Sequence, residues 1–249
     1  MKYYYDFHMH SALSPCGDND MTPNNIANMA VLKGLDIIAL SDHNSCRNAA
    51  AAMEAGREAG VIVVPGMEVE SVEEVHILTL FPDIESAEKM EKTVTENLPP
   101  VRNREDIFGE QLILDKNDEE VGRIDNLLIS ATMLTSEQIF AEALDAGGIA
   151  IPAHVDKTSY SMISNLGAIP EDIDVKLIEL SAKCDADSFF VNYPGLADYP
   201  HLRDSDAHFL WDISERLNYI STEKQITDAG SLIELLKGPC EAYELGSDD

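Results

Sequence analysis

The sequence predicts an α/β fold in which a largely parallel sheet closes into a barrel. Two observations predict it. Short apolar runs alternate with helical stretches along the 249 residues, the rhythm of repeated βα units. Six of the seven histidines fall in five short motifs, almost every one just after such an apolar run: His8-Met9-His10, Ser41-Asp42-His43, Val75-His76, Ala153-His154 and Asp206-Ala207-His208. Reactive groups at the ends of many different strands favour a barrel. A doubly wound sheet would gather them at one switch point.

The elements follow in order. Tyr3 to Phe7 reads as the first strand. Thr22-Pro23 opens a helix, with Thr as N-cap and Pro in the first helical position. Ile26, Met29 and Ala30 give it an apolar face, and Gly34 closes it. Asp36 to Leu40 is the second strand, and an Ala-rich helix runs from about Asn48 to Ala59, ending at Gly60. Val61-Ile62-Val63-Val64 is apolar throughout, as in a strand buried on both faces. Val75 to Leu80 is a fourth strand, and Ile84 to Leu98 a helix.

Thr135 with Gln138 makes a capping box for a helix that stops at Gly147-Gly148. Ile149-Ala150-Ile151, Val175 to Leu180 and a short run near Leu202 supply further strands, and the last helix is about Ser231 to Lys237. The terminal Gly246-Ser247-Asp248-Asp249 is expected to fray.

Residues 99–134 break this rhythm. Pro99-Pro100 opens the segment and Asp115-Lys116-Asn117-Asp118 reads as a hairpin tip, so the segment is an insertion between barrel units and a candidate lid within one domain spanning 1–249. Asp115 to Glu120 resembles a calcium loop only superficially. It lacks the glycine at the sixth position, and Asn126 stands where the twelfth-position glutamate belongs.

Composition narrows the function classes. An apolar fraction of 45% is that of an ordinary globular domain. No run approaches the roughly 20 apolar residues of a membrane span. The N-terminus enters a strand without an apolar leader, which points to the cytoplasm. Cys16, Cys46, Cys184 and Cys240 are scattered and form no Cys-x-x-Cys pair, so no disulfide framework is expected. With 17 basic and 46 acidic residues, a net charge of −29 repels nucleic acid at long range. Stable duplex DNA binding is therefore not expected, whereas a short oligonucleotide held end-on by metals is compatible with it.

The histidines point to metal. In an extended chain His8 and His10 face the same way, and Asp206 and His208 share that spacing. Neutral imidazoles and carboxylates are the ligands of borderline and hard divalent ions. One such histidine is as well explained by a hydrogen bond in the core; six at successive strand ends are not. His201, beside Pro200, takes the plain reading. Glu68 is the acidic residue at the end of the third strand, and a carboxylate can bridge two metals. Glu70, Glu73 and Glu74 read as solvated loop charges.

Six stretches together resemble the polymerase and histidinol phosphatase (PHP) superfamily, in its branch of small stand-alone metal-dependent phosphoesterases. They are Asp6-Phe7-His8-Met9-His10, Leu40-Ser41-Asp42-His43, Pro65-Gly66-Met67-Glu68, Val75-His76, Pro152-Ala153-His154 and Ser205-Asp206-Ala207-His208. The resemblance implies a distorted (β/α)7 TIM-like barrel with two or three divalent ions (zinc, manganese or iron) at the C-terminal ends of its strands. It implies that His8, His10, Glu68 and Asp206 hold the first ion, that Glu68 bridges to a second completed by His76 and His154, and that Asp18, His43 and His208 hold a third. Glu68, Asp206 and His208 are the implied catalytic set.

The family carries an acidic residue or histidine seven or eight positions after the first histidine, where this chain has Pro15 and Cys16. Counting back from the helix start at Met21-Thr22-Pro23 selects Asp18, with Cys16 and Asp20 as alternatives.

The implied activity is hydrolysis of a phosphomonoester, or of a nucleotide or oligonucleotide phosphate, by metal-activated water. No phosphate-cradling glycine loop or nucleophile–base arrangement argues for a covalent route. Histidinol phosphate is the alternative substrate, and a non-catalytic metal-binding interaction module the alternative of another class. Arg102, Arg104, Lys157 and Arg203 are candidates to contact the substrate phosphate, although an ordinary solvated charge explains each one alone. Asp42 is a candidate to orient a ligand histidine.

Overall fold

The computed structural model describes residues 1–248. In chain order its strands are β1 (Lys2–Asp6), β2 (Ile37–Leu40), β3 (Ile62–Glu70), β4 (His76–Leu80), β5 (Leu112–Leu114), β6 (Glu120–Arg123), β7 (Ile149–Pro152), β8 (Ile178–Ser181), β9 (His201–Asp204), β10 (Asn218–Ser221) and β11 (Glu244–Ser247). Its helices are α1 (Pro23–Lys33), α2 (Ala49–Ala59), α3 (Ile84–Asn97), α4 (Glu105–Phe108), α5 (Ser136–Asp145), α6 (Met162–Leu166), α7 (Ala186–Asn192) and α8 (Ala229–Lys237). Among the described residues no helix is long and apolar enough to cross a membrane.

Seven strands form a ring. β1, β2 and β3 are parallel, β4 is antiparallel to both β3 and β7, and β8 is parallel to β9. Two joints close it without a full ladder. Val155 N–H donates to Glu179 O at 2.9 Å beside β8. Beyond β1 and β9, Met9 bridges Ala207, and Phe7 N–H donates to the Asp204 carboxylate at 2.6 Å. This is a distorted seven-stranded barrel, and the expected α/β barrel class holds.

One strand runs against the expected direction. The Ser71–Val75 connection between β3 and β4 is too short for a parallel crossover, which needs about a dozen residues. β4 therefore folds back, and His76 opens it rather than following it. The same hairpin carries β3 past Val64 to Glu70, with Glu68 paired opposite Leu78. Gly66 permits the close approach, since a Cβ there would fall 2.7 Å from Thr79 O.

The interior follows from the pleat. Tyr5, Ile37, Val64, Leu80 and Ile149 pack in one apolar cluster with Leu232, Ile233 and Leu236 of α8. Ile37 and Ile149 begin upward strands and Leu80 ends the downward one, so α8 closes the end of the ring opposite the histidines. Residues expected to fray at the C-terminus instead pair: β11 lies antiparallel to β10, from Asn218–Ser247 to Ser221–Glu244. Asp249 lies outside the described residues. In the 99–134 segment the expected hairpin tip is formed: Asp115 Oδ1 accepts from Asn117 and Glu119 N–H between β5 and β6.

Candidate metal centre

The chain beyond β1 stays extended, with His10 N–H donating to Ala207 O at 2.9 Å. Met9 is buried in the apolar layer that includes Ile26 and Leu40. Its neighbours His8 and His10 consequently turn the other way, into the mouth of the ring, fully buried. His43 follows β2 and bridges Glu68. His154 follows β7, and Asp206 and His208 follow β9. Asn44, His154, Tyr160 and Asp206 all take positive φ, of 51°, 31°, 56° and 55°. Such strain in non-glycine residues gathers where a fold fixes side chains for use.

The centre of the site is Glu68, which is 1% exposed. Its carboxylate lies 2.7 Å from His76 Nδ1, 3.1 Å from His43 Nδ1, 3.1 Å from His154 Nε2, 3.2 Å from His8 Nε2 and 3.4 Å from His10 Nε2. Asp206 Oδ1 stands 3.2 Å from His10 Nε2 and 3.6 Å from His8 Nε2. Three groups emerge whose ligand atoms lie within 4.8 Å of one another: His8, His10, Glu68 and Asp206; His43, Glu68 and His76; and His10, His43 and His208.

A supporting layer sets the tautomers. Glu179 of β8 holds His8 Nδ1 at 3.0 Å, which leaves Nε2 for the cluster. Ser14 Oγ donates to Asp42 at 2.7 Å and so accepts from His10 Nδ1, 3.1 Å away. Asp42 thus orients His10 through Ser14. His43 joins the same hub through its backbone N–H, which also donates to Ser14 Oγ. His208 Nδ1 donates to Asp206 O at 2.8 Å.

Crowding moves the protons. Burial lowers His8, but the carboxylates of Glu179, Glu68 and Asp206 overcome it and hold the ring well above its usual range. His76 likewise loses to burial and gains more from Glu68 and Glu70, ending at about 9. Burial, then the neighbouring His208, pushes His10 down to about 4, and burial holds His43 low as well. Burial opposes ionisation of Glu68, but His76, His8 and His43 keep it well below the carboxylate range.

His8 Nε2, His10 Nε2, His43 Nδ1 and His154 Nδ1 are nonetheless buried without a hydrogen-bond partner. Orphaned buried nitrogens are costly, and a divalent cation is the group that would satisfy the three that face Glu68, His8 Nε2, His10 Nε2 and His43 Nδ1. The donor set fits the metal that the motifs imply.

Eight of the nine ligand candidates therefore converge, and Asp18 does not. Its Oδ1 accepts from Asp20 N–H at 2.9 Å, although its backbone N–H reaches His208 O; Asp20 is exposed. Cys16 lines the cavity of about 290 Å³ over the cluster, together with Lys157, Tyr160 and Ile129.

Of the four phosphate candidates only Lys157 is there, with Nζ 2.5 Å from Asp206 Oδ2. Arg104 pairs with Asp106 at 2.8 Å, exposed Arg102 bridges Asn126, and Arg203 donates to Cys184 O at 2.8 Å. From the 99–134 segment it is Ile129, not an arginine, that reaches the cavity.

His201 is partly buried with its ring 5.2 Å from Phe190, away from the site. Glu70, expected in solvent, is 5% exposed, with its carboxylate 3.9 Å from His76 Nε2. Sequence reasoning also missed Glu179, whose signal was a lone acid inside an apolar strand. It missed Tyr160 as well, which stacks on His76 at 4.8 Å.

Comparison with known proteins agrees with this architecture. The family model described as the PHP domain matches residues 6–185. An uncharacterized protein of Methanocaldococcus jannaschii is 33% identical over 98 residues, 36% of this chain and 57% of that protein. The lesion-specific endonuclease EndoQ of Pyrococcus furiosus superposes with a TM-score of 0.69 at 20% identity, over 98% of this chain and 58% of the endonuclease. A candidate metal-dependent phosphoesterase of Bifidobacterium adolescentis superposes with a TM-score of 0.57 at 18% identity, over 95% and 97% of the two chains. The chain thus spans little more than half of the first two, and the two structures share its fold.

Proposed function

The chain belongs to the PHP domain family, and from that premise we propose that it is a metal-dependent phosphoesterase. Its substrate is a phosphomonoester, or the phosphate of a nucleotide or oligonucleotide. One observation carries the reading: a single buried carboxylate, Glu68, lies within 3.4 Å of five imidazoles, and three of the ring nitrogens that face it lack hydrogen-bond partners. A purely structural histidine cluster would satisfy those nitrogens within the protein.

The three ligand groups would hold two or three divalent ions, with His154 completing the Glu68–His76 side. Bound there, such ions would activate water and neutralise phosphoryl charge, both of which a −29 chain otherwise disfavours. The chain's own residues do the rest. Glu179 and the Asp42–Ser14 pair fix which nitrogen each ligand histidine presents. Lys157, the one ammonium lining the cavity, offers a charge-assisted hydrogen bond to a phosphate oxygen. His208, at 24% side-chain exposure the most accessible imidazole of the site, holds its Nδ1–H on Asp206 O and so presents Nε2 to its ligand group.

The likeness to an endonuclease motivates a nucleic-acid arm in the test. Purified protein with Mn²⁺ or Zn²⁺ is expected to hydrolyse p-nitrophenyl phosphate. Nucleoside monophosphates, 5′-phosphorylated oligonucleotides, histidinol phosphate and a lesion-bearing duplex then rank the natural classes. A folded, metal-loaded preparation inert on all of these would overturn the proposal.

A further inference from the structure

The turn that follows β7 brings a large aromatic side chain to the mouth of the barrel. The ring of Tyr160 stacks on His76, with centroids 4.8 Å apart and planes 22° from parallel. That contact takes one face of the ring. Tyr160 is nevertheless 46% exposed, and it lines the cavity over the cluster together with Lys157 and Ile129. A ring backed on one side and open elsewhere is a stacking surface.

The turn holds that ring in place. Tyr160 takes a φ of 56°, a conformation rare for a bulky side chain. Its carbonyl accepts from His76 N–H at 2.9 Å, so backbone and ring are both fixed on the first residue of β4. Ser161 Oγ donates to Lys157 O at 2.8 Å and accepts from Ser164 N–H at 3.1 Å, which ties the turn to the start of α6. The Lys157 ammonium and the Tyr160 ring therefore belong to one closed turn.

We propose that Tyr160 determines specificity at this site by stacking the flat aromatic ring of a nucleotide whose phosphate lies over the cluster. Stacking needs no positive charge, so it suits a chain of net charge −29. The cavity, about 290 Å³, stands at the lower limit of small-ligand sites and admits one terminal nucleotide rather than a stretch of duplex. The inference rests on the phosphoesterase reading above and deepens it, by selecting nucleotides over alkyl phosphates.

Turnover and binding test it together. The ratio of kcat/KM for adenosine monophosphate over glycerol phosphate should fall at least about fivefold in Tyr160→Ala, the effect of losing one base–aromatic stack. Tyr160→Phe, which keeps the ring face, should keep the ratio. A ring that merely buttresses His76 would lower both substrates alike and leave the ratio unchanged. Adenosine carries the ring and no ester to cleave, so equilibrium dialysis of adenosine reads the stack without turnover. Its affinity should weaken by the same factor in Tyr160→Ala. Should Tyr160→Ala fail to fold, Tyr160→Gly removes the ring with a residue that accepts positive φ.

An unchanged ratio, or adenosine binding that is absent or indifferent to Tyr160, overturns the stacking role and leaves the phosphoesterase reading standing wherever the esters are still cleaved. Protein that binds adenosine through Tyr160 but hydrolyses neither ester overturns the phosphoesterase reading and keeps the stacking role, so the two failures are distinguishable.

Discussion

The mouth of the barrel and the 99–134 segment are both rich in charged side chains, and they use them in opposite ways. At the mouth, carboxylates and imidazoles are buried, crowded and left with unpartnered atoms. In the segment, charges are exposed and matched locally: Arg123 reaches Glu105, Glu110 and Glu120, and Arg104 reaches Asp106. Exposed pairs of this kind contribute about 0–1 kcal/mol each. The contrast teaches that charge in a candidate lid says little about chemistry. Charge that a fold has buried and failed to neutralise says a great deal.

Substitutions sharpen the contrast, and the largest effect is expected at its centre. Glu68→Gln should lower kcat/KM by on the order of a thousandfold, several kcal/mol of lost charge stabilisation. Turnover near normal in that variant would sink the proposed centre.

Next in size is a pH effect confined to the metal-free protein. His10 protonates near 6.5 when unfolded but at about 4 when folded, so its contribution to stability is lost as pH falls through that window. His76 runs the other way. Raised to about 9, it stabilises fully below 6.5 and stops doing so as pH rises through 9. Each window is worth about 3 kcal/mol. Melting temperatures of chelator-treated protein should therefore peak near pH 6.5, and metal loading should flatten the profile. A flat profile without metal contradicts these protonation states.

Glu179→Gln comes third. It leaves the cluster intact but loosens His8, and metal affinity measured by competition with a chelator should weaken about 10–100-fold. Unchanged affinity would mean that Glu179 merely fills space. Smallest of all is Arg104→Ala, where less than a twofold change in kcat/KM is expected, with stability altered by under about 0.5 kcal/mol. A tenfold loss there would restore the segment's arginines as substrate contacts and break the comparison.

Much of this was legible before any coordinates. The βα rhythm and the spacing of His8, His10, His43, His154, Asp206 and His208 point to the strand ends beyond which those groups lie, because strand periodicity and strand ends are local properties. Several things were not legible. The reversal of β4 lay hidden in the length of the Ser71–Val75 connection. β10 and β11 read Asn-Tyr-Ile-Ser and Glu-Leu-Gly-Ser, with too few apolar residues to announce a strand, and exist through their pairing with each other and with β1. Asp18 matched a counted position, whereas side-chain direction in a loop depends on hydrogen bonds that counting cannot see. Glu179 looked like a flaw in an apolar strand because its partner, His8, is 171 positions away.

That separation recurs where the ring closes, and it bears on how the protein is made. Ser205 Oγ meets His8 O across 197 positions of sequence. Contacts this remote are formed slowly, because the chain must first surrender the entropy of a very long loop. In the proposed centre, metal capture would need Asp206 beside His8 and His10, and so would follow the docking of β9 against β1. The rate at which a refolding sample withdraws zinc from a coloured indicator should therefore track the slowest folding phase, and metal uptake becomes a clock for the last step of assembly.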